Sequence, residues 1–586
     1  MKKTKLVTSY YAHHAGSPVW GQVNRDRWYR YSLVGMANIS FYGSHNAAFV
    51  IEKDGEIVEI VEVERLVNSK NQGVAQYITL RSKDILFLTK LMIKNIMEKH
   101  SITEFDTCLF LNTEVDYHHI HHLERFIPAK KYKPYHHHQA HAAGCFYQSP
   151  YQEALVISFD GGGDDGKFNI YYANREDSVT LLESVKSENE DIFIPQYDLG
   201  FPYMIFGHYL KDIRFMDLSI GNLVYPGKIM GLVSYGKVRK EWIPAFMKFY
   251  KSSPSGIFLP EENCMDCELK IKELGESIGI VFDINNRLEG QNAYDIAATS
   301  QKVFEECFLE KVNPYIKKYP DKPLCITGGC GLNIILNTRM KRRHKSGVFI
   351  GPNPNDCGVA TGGMLHFLRP KTPIDITYKG LPLLDLNMLP QYIHLCQEQI
   401  KCYDLDMYML VEDLKQGHII GVARGGSEHG PRALGNRSIL CNPSIENMKD
   451  TLNEKVKHRE WYRPFAPVVR LEDVSEYFEW EGESRWMSFS SVVKKRWRKK
   501  LQAITHVDNT ARVQTVTREQ NEWLYDLLTR FKEATGIGVL LNTSFNVDGK
   551  PILTTVKDAF YILENTQMDC IVIENYYIRK QKEEFI

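Results

Sequence analysis

The feature that most constrains this sequence is a short apolar strand followed closely by a glycine-rich turn, which recurs three times. The strands are predicted at 34–40, 154–159 and 324–327, and the turns that follow begin at Gly43, Asp160 and Gly328. Helical stretches alternate with the strands, and this alternation predicts an α/β fold. Glycine leaves backbone N–H groups open to phosphate oxygens, so three such turns in one domain indicate a split nucleotide site. Each turn taken singly is equally compatible with a purely local tight turn.

The chain of 586 residues is too long for one hydrophobic core. A proline-containing stretch at 369–373 is typical of a linker, and a second α/β pattern follows it, with strands at 419–423 and 539–541 and a helix at 522–532. We therefore expect an N-terminal extension over 1–33, one domain over 34–370 and another over 371–586.

Charge and apolar content exclude several classes of protein. Lys+Arg and Asp+Glu both number 72, so the formal net charge is zero, which argues against binding to a nucleic-acid backbone. No run of about 18 apolar residues occurs, so no membrane span is predicted. Polar residues follow Met1–Lys5 where a signal peptide is apolar, and the twelve cysteines form no framework. These features predict a cytoplasmic protein.

A histidine pair is the first candidate for metal binding. His137 and His141 are four residues apart, on one face of a predicted helix. His138 stands where a zinc protease has glutamate, which excludes that class. Asp160, at a strand end, could add a carboxylate, and two histidines with carboxylates favour Fe(II) or Mn(II). The spacing alone is also compatible with a structural pair.

The C-terminal part carries basic side chains within strings of glycine, proline and small residues. The strings are Gly-Pro-Arg-Ala-Leu-Gly-Asn-Arg-Ser at 430–438, Arg-Pro-Phe-Ala-Pro at 463–467 and Asn-Thr-Ser-Phe-Asn at 542–546, with Lys457 and Arg512 beside them. Arginine forks and lysine point charges are how proteins hold phosphate oxygens. Surface ion pairs with Glu428, Glu454 and Glu460 are the alternative.

These strings, in this order after His-His-x-x-His and Asp-Gly-Gly-Gly-Asp, resemble the O-carbamoyltransferase family of nodulation-factor and antibiotic-tailoring enzymes. The resemblance runs from about Asn38 to Lys580. It implies an actin-like ATPase fold for the N-terminal domain, similar to the universal tRNA-threonylcarbamoyl transferase subunit. It implies a YrdC-like α/β fold for the C-terminal domain.

The resemblance also implies an activity. The C-terminal domain would form carbamoyl-adenylate from carbamoyl phosphate and ATP, and the N-terminal domain would transfer the carbamoyl group to a hydroxyl of a small-molecule acceptor. Iron(II) and magnesium are the implied metals, and a homodimer is compatible with the family. A tRNA-modifying enzyme and a regulatory nucleotide-binding protein are the competing interpretations. The acceptor stays open among an aminoglycoside, a cephem, a polyketide, a lipo-oligosaccharide and a saxitoxin-type alkaloid.

Matching the motifs residue by residue yields the implied sites. The metal ligands would be His137, His141, Asp160 and Asp356. The catalytic set would be His45, Lys70, Arg432, Lys457, Arg463, Arg512 and Ser544, with His45 as general base. The cofactor-binding set would be Gly161, Gly162, Gly163, Lys228, Gly231, Gly328, Gly329, Asn333, Asn542 and Asn546. The sequence departs from the family pattern at Asn46, where aspartate is usual, and at Asn509, where glycine is usual.

Overall fold

The computed structural model of the chain describes residues 5–7, 37–42, 46–71, 82–111, 127–185, 198–214, 221–252 and 264–581. The chain divides into an N-terminal unit, Met1–Asn333 with Met340–Ile376, and a C-terminal unit, Ile334–Arg339 with Thr377–Ile586. Both units combine mixed β-sheets with helices, so the α/β prediction is confirmed. Among the described helices, none has the length and apolar character needed to cross a bilayer.

The N-terminal unit begins with a mixed sheet built around a hairpin. Asp54 and Gly55 have φ angles of 55° and 91°, as a two-residue type I′ turn requires. Lys5–Val7, inside the predicted extension, also pairs with this sheet. The remaining strands, in order across the sheet, are Glu56–Glu62, Ala48–Lys53, Ala37–Tyr42, Thr107–Leu111 and Tyr132–Tyr135.

A second sheet of the N-terminal unit places two of the glycine turns side by side. Its strands, in order, are Val348–Phe349, Leu324–Thr327, Glu153–Phe159, Phe168–Asn174 and Ser178–Val185. Leu324–Thr327 and Glu153–Phe159 are parallel, with Thr327 opposite Ser158. Since parallel strands end at the same edge of a sheet, the turns that begin at Asp160 and Gly328 are neighbours.

Two helices of the N-terminal unit cross at glycines. His137–Gln148 packs against Val359–Leu368, and a Cβ added to Gly144 would lie 3.1 Å from the Cα of Gly362. Such an approach of two backbones needs the absence of side chains on both. The other helices of this unit are Val63–Leu66, Ser82–Lys99, Gly200–Met204, Tyr225–Leu232, Ile243–Lys251, Cys264–Ile278 and Gln291–Lys318, and Ile334–Arg343 spans the change of unit.

The C-terminal unit contains an eight-stranded mixed sheet. Its strands, in order, are Ile400–Asp404, Tyr576–Lys580, Cys570–Ile573, Ile420–Ala423, Arg437–Cys441, Val539–Ser544, Ala466–Arg470 and Gln514–Val516. Ser491–Val492 and Thr510–Ala511 form a separate pair. The helices are Leu389–Leu395, Met407–Lys415, Met448–Leu452, Val474–Tyr477, Glu522–Thr535 and Val556–Asn565, and Asn453–Lys457 is a π-helical turn.

Candidate functional site

Two histidines and two aspartates of the N-terminal unit converge on one point. His137, His141, Asp160 and Asp356 each offer a ligand atom within 4.8 Å of the others. The Nε2 atoms of the histidines are 3.1 Å apart, and Nε2 of His141 lies 3.4 Å from a carboxylate oxygen of each aspartate. The structure thus brings together all four residues that the resemblance implied as ligands.

Backbone geometry fixes the carboxylate of Asp160. It accepts hydrogen bonds from the backbone N–H groups of Gly161 at 2.7 Å and Gly329 at 2.5 Å. Gly328 has a φ of 86°, and an added Cβ would lie 2.6 Å from the carbonyl carbon of Phe159. The positive φ and the lack of space both require glycine there, so the turn at 328 directly supports a ligand.

The start of the histidine helix is held by the loop after Asp160. The Asp164 carboxylate accepts from the N–H of His137, and the Asp165 carboxylate accepts from those of His138 and Gln139. His138 Nε2 lies 2.9 Å from the carbonyl oxygen of Gly166, which can only accept, so this nitrogen carries the proton. The first turn of the helix, and with it His137, is therefore fixed from outside the helix.

Burial and the neighbouring carboxylates shift the pKa values of the two histidines in opposite directions. Burial lowers the pKa of His137. Burial also opposes the charged form of His141, but hydrogen bonding to Asp160 and Asp356 outweighs it and raises the pKa of His141 to about 9. Two carboxylates that face a buried imidazole mark a place where a cation is favoured.

The donor set fits a divalent transition metal. Two imidazole nitrogens and two carboxylate oxygens suit iron, manganese or zinc, and His137, His141 and Asp356 are at most 4% exposed. Backbone N–H groups hold Asp160, as outer partners of metal ligands commonly do. The sequence-based expectation of a metal centre is thus compatible with the geometry.

The structure places the other predicted residues of the N-terminal unit in different surroundings. A Cβ on Gly163 would lie 2.9 Å from the His137 ring, whereas one on Gly161 or Gly162 would meet nothing within 4 Å. Asn333 exchanges hydrogen bonds with Gln301. The remaining placements are the buried Lys228 and the half-buried Gly231 on one helix, the exposed Lys70 in a turn, and His45 outside the described residues.

The second site is a cluster of guanidinium groups in the C-terminal unit. Burial, then Arg432, Arg459 and Arg463, lower the pKa of Arg512 well below its ordinary value. Burial and then Arg463 lower the pKa of Arg432 to about 10. In the described part of the chain, the side chains of Arg432 and Arg512 have no hydrogen-bond or ion-pair partner. Arg463 forms ion pairs with Glu460 at 3.4 Å and Asp548 at 3.7 Å. Within the described residues these ion pairs involve only one of the four clustered arginines, so the remaining positive charge indicates an anion-binding pocket.

Arg459 is a member of this cluster that the motif matching left out. Its Nε donates to Asn453 Oδ1 at 2.7 Å, and its guanidinium lies 4.3 Å from the centroid of the Phe465 ring. Burial, then Arg463, lower its pKa well below the ordinary value. A stacked and hydrogen-bonded arginine is already oriented. The sequence signal that could have identified Arg459 as part of the pocket is its position two residues after Lys457.

The loop that carries Arg432 is held by the buried side chains of Glu428 and Arg437. Glu428 Oε1 accepts from the backbone N–H groups of Leu434, Asn436 and Arg437 at 2.7–3.1 Å. Arg437 is fully buried and donates to the carbonyl oxygens of Arg424 and Gly425. Glu428 therefore holds the backbone, and the alternative of a surface ion pair with this residue is wrong.

Lys457 lies beside the pocket with its ammonium group surrounded by oxygen atoms. Nζ donates to the carbonyl oxygens of Ser544 and Asn546, each at 2.6 Å, and to Asn546 Oδ1. These contacts join the π-helical turn to the end of strand Val539–Ser544. Asn542, on the same strand, donates to Ala433 and Gln514, so it supports the Arg432 loop.

Comparison with known proteins gives a consistent result for both units. The family profile described as "Carbamoyltransferase N-terminus" matches residues 45–365, which is more than half of the chain. The profile described as "Carbamoyltransferase C-terminus" matches residues 411–580. The first range contains the four clustered histidine and aspartate ligands, and the second contains the arginine pocket.

Individual relatives are similar to most of this chain. Nodulation protein NolO of Bradyrhizobium diazoefficiens is 31% identical over 76% of this chain and 79% of its own. Nodulation protein NolNO of Sinorhizobium fredii is 28% identical over 92% of this chain and 79% of its own. Among solved structures, full-length HypF in its phosphate- and nucleotide-bound form aligns with a TM-score of 0.32 and 14% identity, over 56% of this chain and 45% of that chain. That likeness is too low to support an inference.

Proposed function

This chain belongs to the carbamoyltransferase family, and on that premise we propose that it is an ATP-dependent O-carbamoyltransferase acting on a small-molecule alcohol. In this proposal the C-terminal unit is YrdC-like and converts carbamoyl phosphate and ATP to carbamoyl-adenylate. The N-terminal unit is actin-like and transfers the carbamoyl group to the acceptor hydroxyl. The first step consumes one water and releases phosphate and pyrophosphate, and the second releases AMP.

The arginine pocket carries the proposal for the first step. Carbamoyl phosphate and the ATP triphosphate are polyanions, and four guanidinium groups lie at one place where, among the described residues, only Arg463 is paired with carboxylates. The other guanidinium groups repel one another until an anion lies between them. Arg432 and Arg512 have donors available for phosphate oxygens, whereas Lys457 already donates to Ser544 and Asn546. In this mechanism the arginines bind the anions, and Lys457 with Ser544 shapes the wall of the pocket. Magnesium would accompany ATP.

The four-ligand cluster carries the proposal for the second step. A carbamoyl carbon is a poor electrophile because its nitrogen donates electrons to the carbonyl, and a phosphate leaving group offsets this. His137, His141, Asp160 and Asp356 would hold iron(II) or a similar ion. Bound there, the metal would supply a Lewis acid and template for the phosphate of the intermediate. Gly161 and Gly162 leave open space after Asp160, since an added Cβ at either position would meet nothing within 4 Å.

A partial-reaction experiment tests this division of labour. Incorporation of labelled pyrophosphate into ATP, dependent on carbamoyl phosphate, reports the first step alone. Arg512→Ala should abolish this exchange, and Asp160→Asn should retain it while abolishing transfer to an alcohol. Arg518→Ala, which removes an exposed guanidinium paired with Glu522 and Asp526, is the matched control. Exchange that survives in Arg512→Ala would refute the first assignment, and loss of exchange in Asp160→Asn would refute the division.

The general base is proposed separately. His45 follows the first glycine turn, and general-base catalysis typically contributes about 10²–10⁴-fold. His45→Ala should slow transfer from preformed carbamoyl-adenylate by a factor in that range without affecting exchange. Near-normal transfer from the preformed intermediate would exclude this role.

A further inference from the structure

A second cluster of metal-ligand side chains lies in the C-terminal unit, among residues that the proposed reaction does not use. We call Asp413, His418 and Cys570 the Asp413 cluster. Asp413 is on helix Met407–Lys415, and Cys570 begins strand Cys570–Ile573. Each offers a ligand atom within 4.8 Å of the others, and Asp413 and Cys570 are only 1% exposed.

The turn that ends helix Met407–Lys415 brings His418 back toward Asp413. Gly417 has a φ of 91°, its N–H donates to the carbonyl oxygen of Leu414, and the N–H of His418 donates to that of Asp413. This pair of bonds, with a left-handed glycine, is the Schellman arrangement. The backbone therefore fixes the position from which the His418 ring reaches Asp413.

The donor atoms lie near the spacing found around a tetrahedral zinc ion, with His418 and Cys570 approaching different oxygens of the Asp413 carboxylate. Nδ1 of His418 is 3.2 Å from Oδ1 of Asp413, and Sγ of Cys570 is 3.8 Å from Oδ2. Bonds of about 2.0–2.3 Å at tetrahedral angles place neighbouring ligand atoms about 3.3–3.6 Å apart. Small side-chain shifts would bring all three atoms onto one ion, and the open fourth position would take water.

The surroundings of the cluster have the character of an outer ligand shell. The Tyr577 hydroxyl and the Arg579 guanidinium both donate to Asp413, and ligating carboxylates are typically held in this way. Nδ1 of His418 is buried and has no hydrogen-bond partner within the described chain. A thiolate and a carboxylate would supply two negative charges, and Arg579, which is paired with Asp413, adds one positive charge beside the ion.

We propose that Asp413, His418 and Cys570 bind a zinc ion that joins helix Met407–Lys415 to strand Cys570–Ile573. The combination of nitrogen, oxygen and sulfur donors favours zinc over magnesium or calcium. Binding releases the thiol proton of Cys570 to solvent and leaves the metal oxidation state unchanged. The alternative is a metal-free network in which the thiol donates to Asp413 and Arg579 neutralises the carboxylate.

Cobalt(II) separates this site from the four-ligand cluster because only the Asp413 cluster contains sulfur. The full-length protein is stripped with a chelator and titrated with cobalt(II), and thiolate-to-cobalt absorption in the near ultraviolet is recorded. One equivalent should develop this band, and one equivalent of zinc should remove it. Asp160→Asn and Cys402→Ser, which replaces an exposed thiol, should retain the band, and Cys570→Ser should lose it.

A second variant covers the case in which Cys570→Ser does not fold. His418→Gln alters a half-buried ring and should weaken cobalt binding at least 10-fold while the circular dichroism spectrum stays that of the parent. Zinc should raise the Tm of the parent chain more than that of His418→Gln. Absence of the near-ultraviolet band in the parent protein, or a band unchanged by both substitutions, would overturn the proposal.

Discussion

Replacing Gly362 by alanine tests whether the helix crossing sets the spacing of the four N-terminal ligands. His137 and His141 are on one helix of the crossing, and Asp356 directly precedes the other. A Cβ at position 362 would lie 2.5 Å from the carbonyl carbon of Ala140 and 3.1 Å from its Cα. Carbon atoms in contact are about 3.5–4.0 Å apart, so the helices must separate by about 1 Å.

The expected cost of Gly362→Ala follows from that displacement. Overpacking of this kind typically costs about 1–3 kcal/mol, and a shift of about 1 Å exceeds the tolerance of roughly 0.5 Å for a metal site. Urea unfolding should show the loss of stability. Calorimetric titration of the folded variant with manganese(II) should show affinity lowered at least 10-fold.

Gly227→Ala is the matched control for this prediction. It lies in helix Tyr225–Leu232, and an added Cβ would meet nothing within 4 Å. The substitution should stabilise the chain by up to about 1 kcal/mol through helix propensity. If Gly362→Ala bound manganese with the affinity of the parent and unfolded at the same urea concentration, the argument that the crossing positions the ligands would be refuted.

Three further predictions concern single side chains. Arg459→Ala should raise the KM for carbamoyl phosphate or ATP about 10-fold with little change in unfolding, as steady-state kinetics would show, and an unchanged KM would remove Arg459 from the pocket. Lys457→Met should lower the Tm, since it leaves the carbonyl oxygens of Ser544 and Asn546 without their donor, and a Tm equal to that of the parent would contradict this structural role. Burial and then Arg287 lower the pKa of His208 to about 4, so the folded state favours the neutral ring. Because the unfolded state binds a proton below about pH 6.5, the free energy of unfolding should be highest above that pH and should decrease as the pH falls toward 4. Urea titrations of the parent chain should show up to about 3 kcal/mol of this loss that His208→Phe lacks, and equal pH dependence in both would refute it.

Local patterns in the sequence predicted the elements whose causes are local. The turn residues Asp54-Gly55 between two apolar runs predict the hairpin, and the apolar spacing from Ser82 onward predicts a helix. The same spacing predicts a buried face made of Ile85, Leu88, Leu91, Met92 and Ile96. That face is only partly right, because Leu88 and Leu91 are 37% and 41% exposed while Ile96 is buried with Ile93. Which apolar stripe is covered depends on the neighbouring elements, and the spacing within one helix does not contain that information.

The sites show the same limit. His137 and His141 could be paired from their spacing, and Asp160 from its place at a strand end. Asp356 lies about 200 positions beyond them and was found only through the family resemblance. Glu428 accepts from backbone N–H groups 6, 8 and 9 residues further along the chain, and Asp164 accepts from one 27 residues before it. No periodicity in the sequence marks such a residue. Contacts made by the backbone of one segment to a side chain of another are fixed by the assembled fold.

Glu428 and Arg437 form a frame that holds the backbone of the string at 430–438, which leaves Arg432 available to contact a ligand. Arg432 is held in place by that frame but contributes no hydrogen bond to it. A descendant that changed only residue 432 would therefore keep the loop while exchanging its ligand. A match to this string in another chain therefore reports the supporting frame, and it does not by itself report which ligand that chain binds.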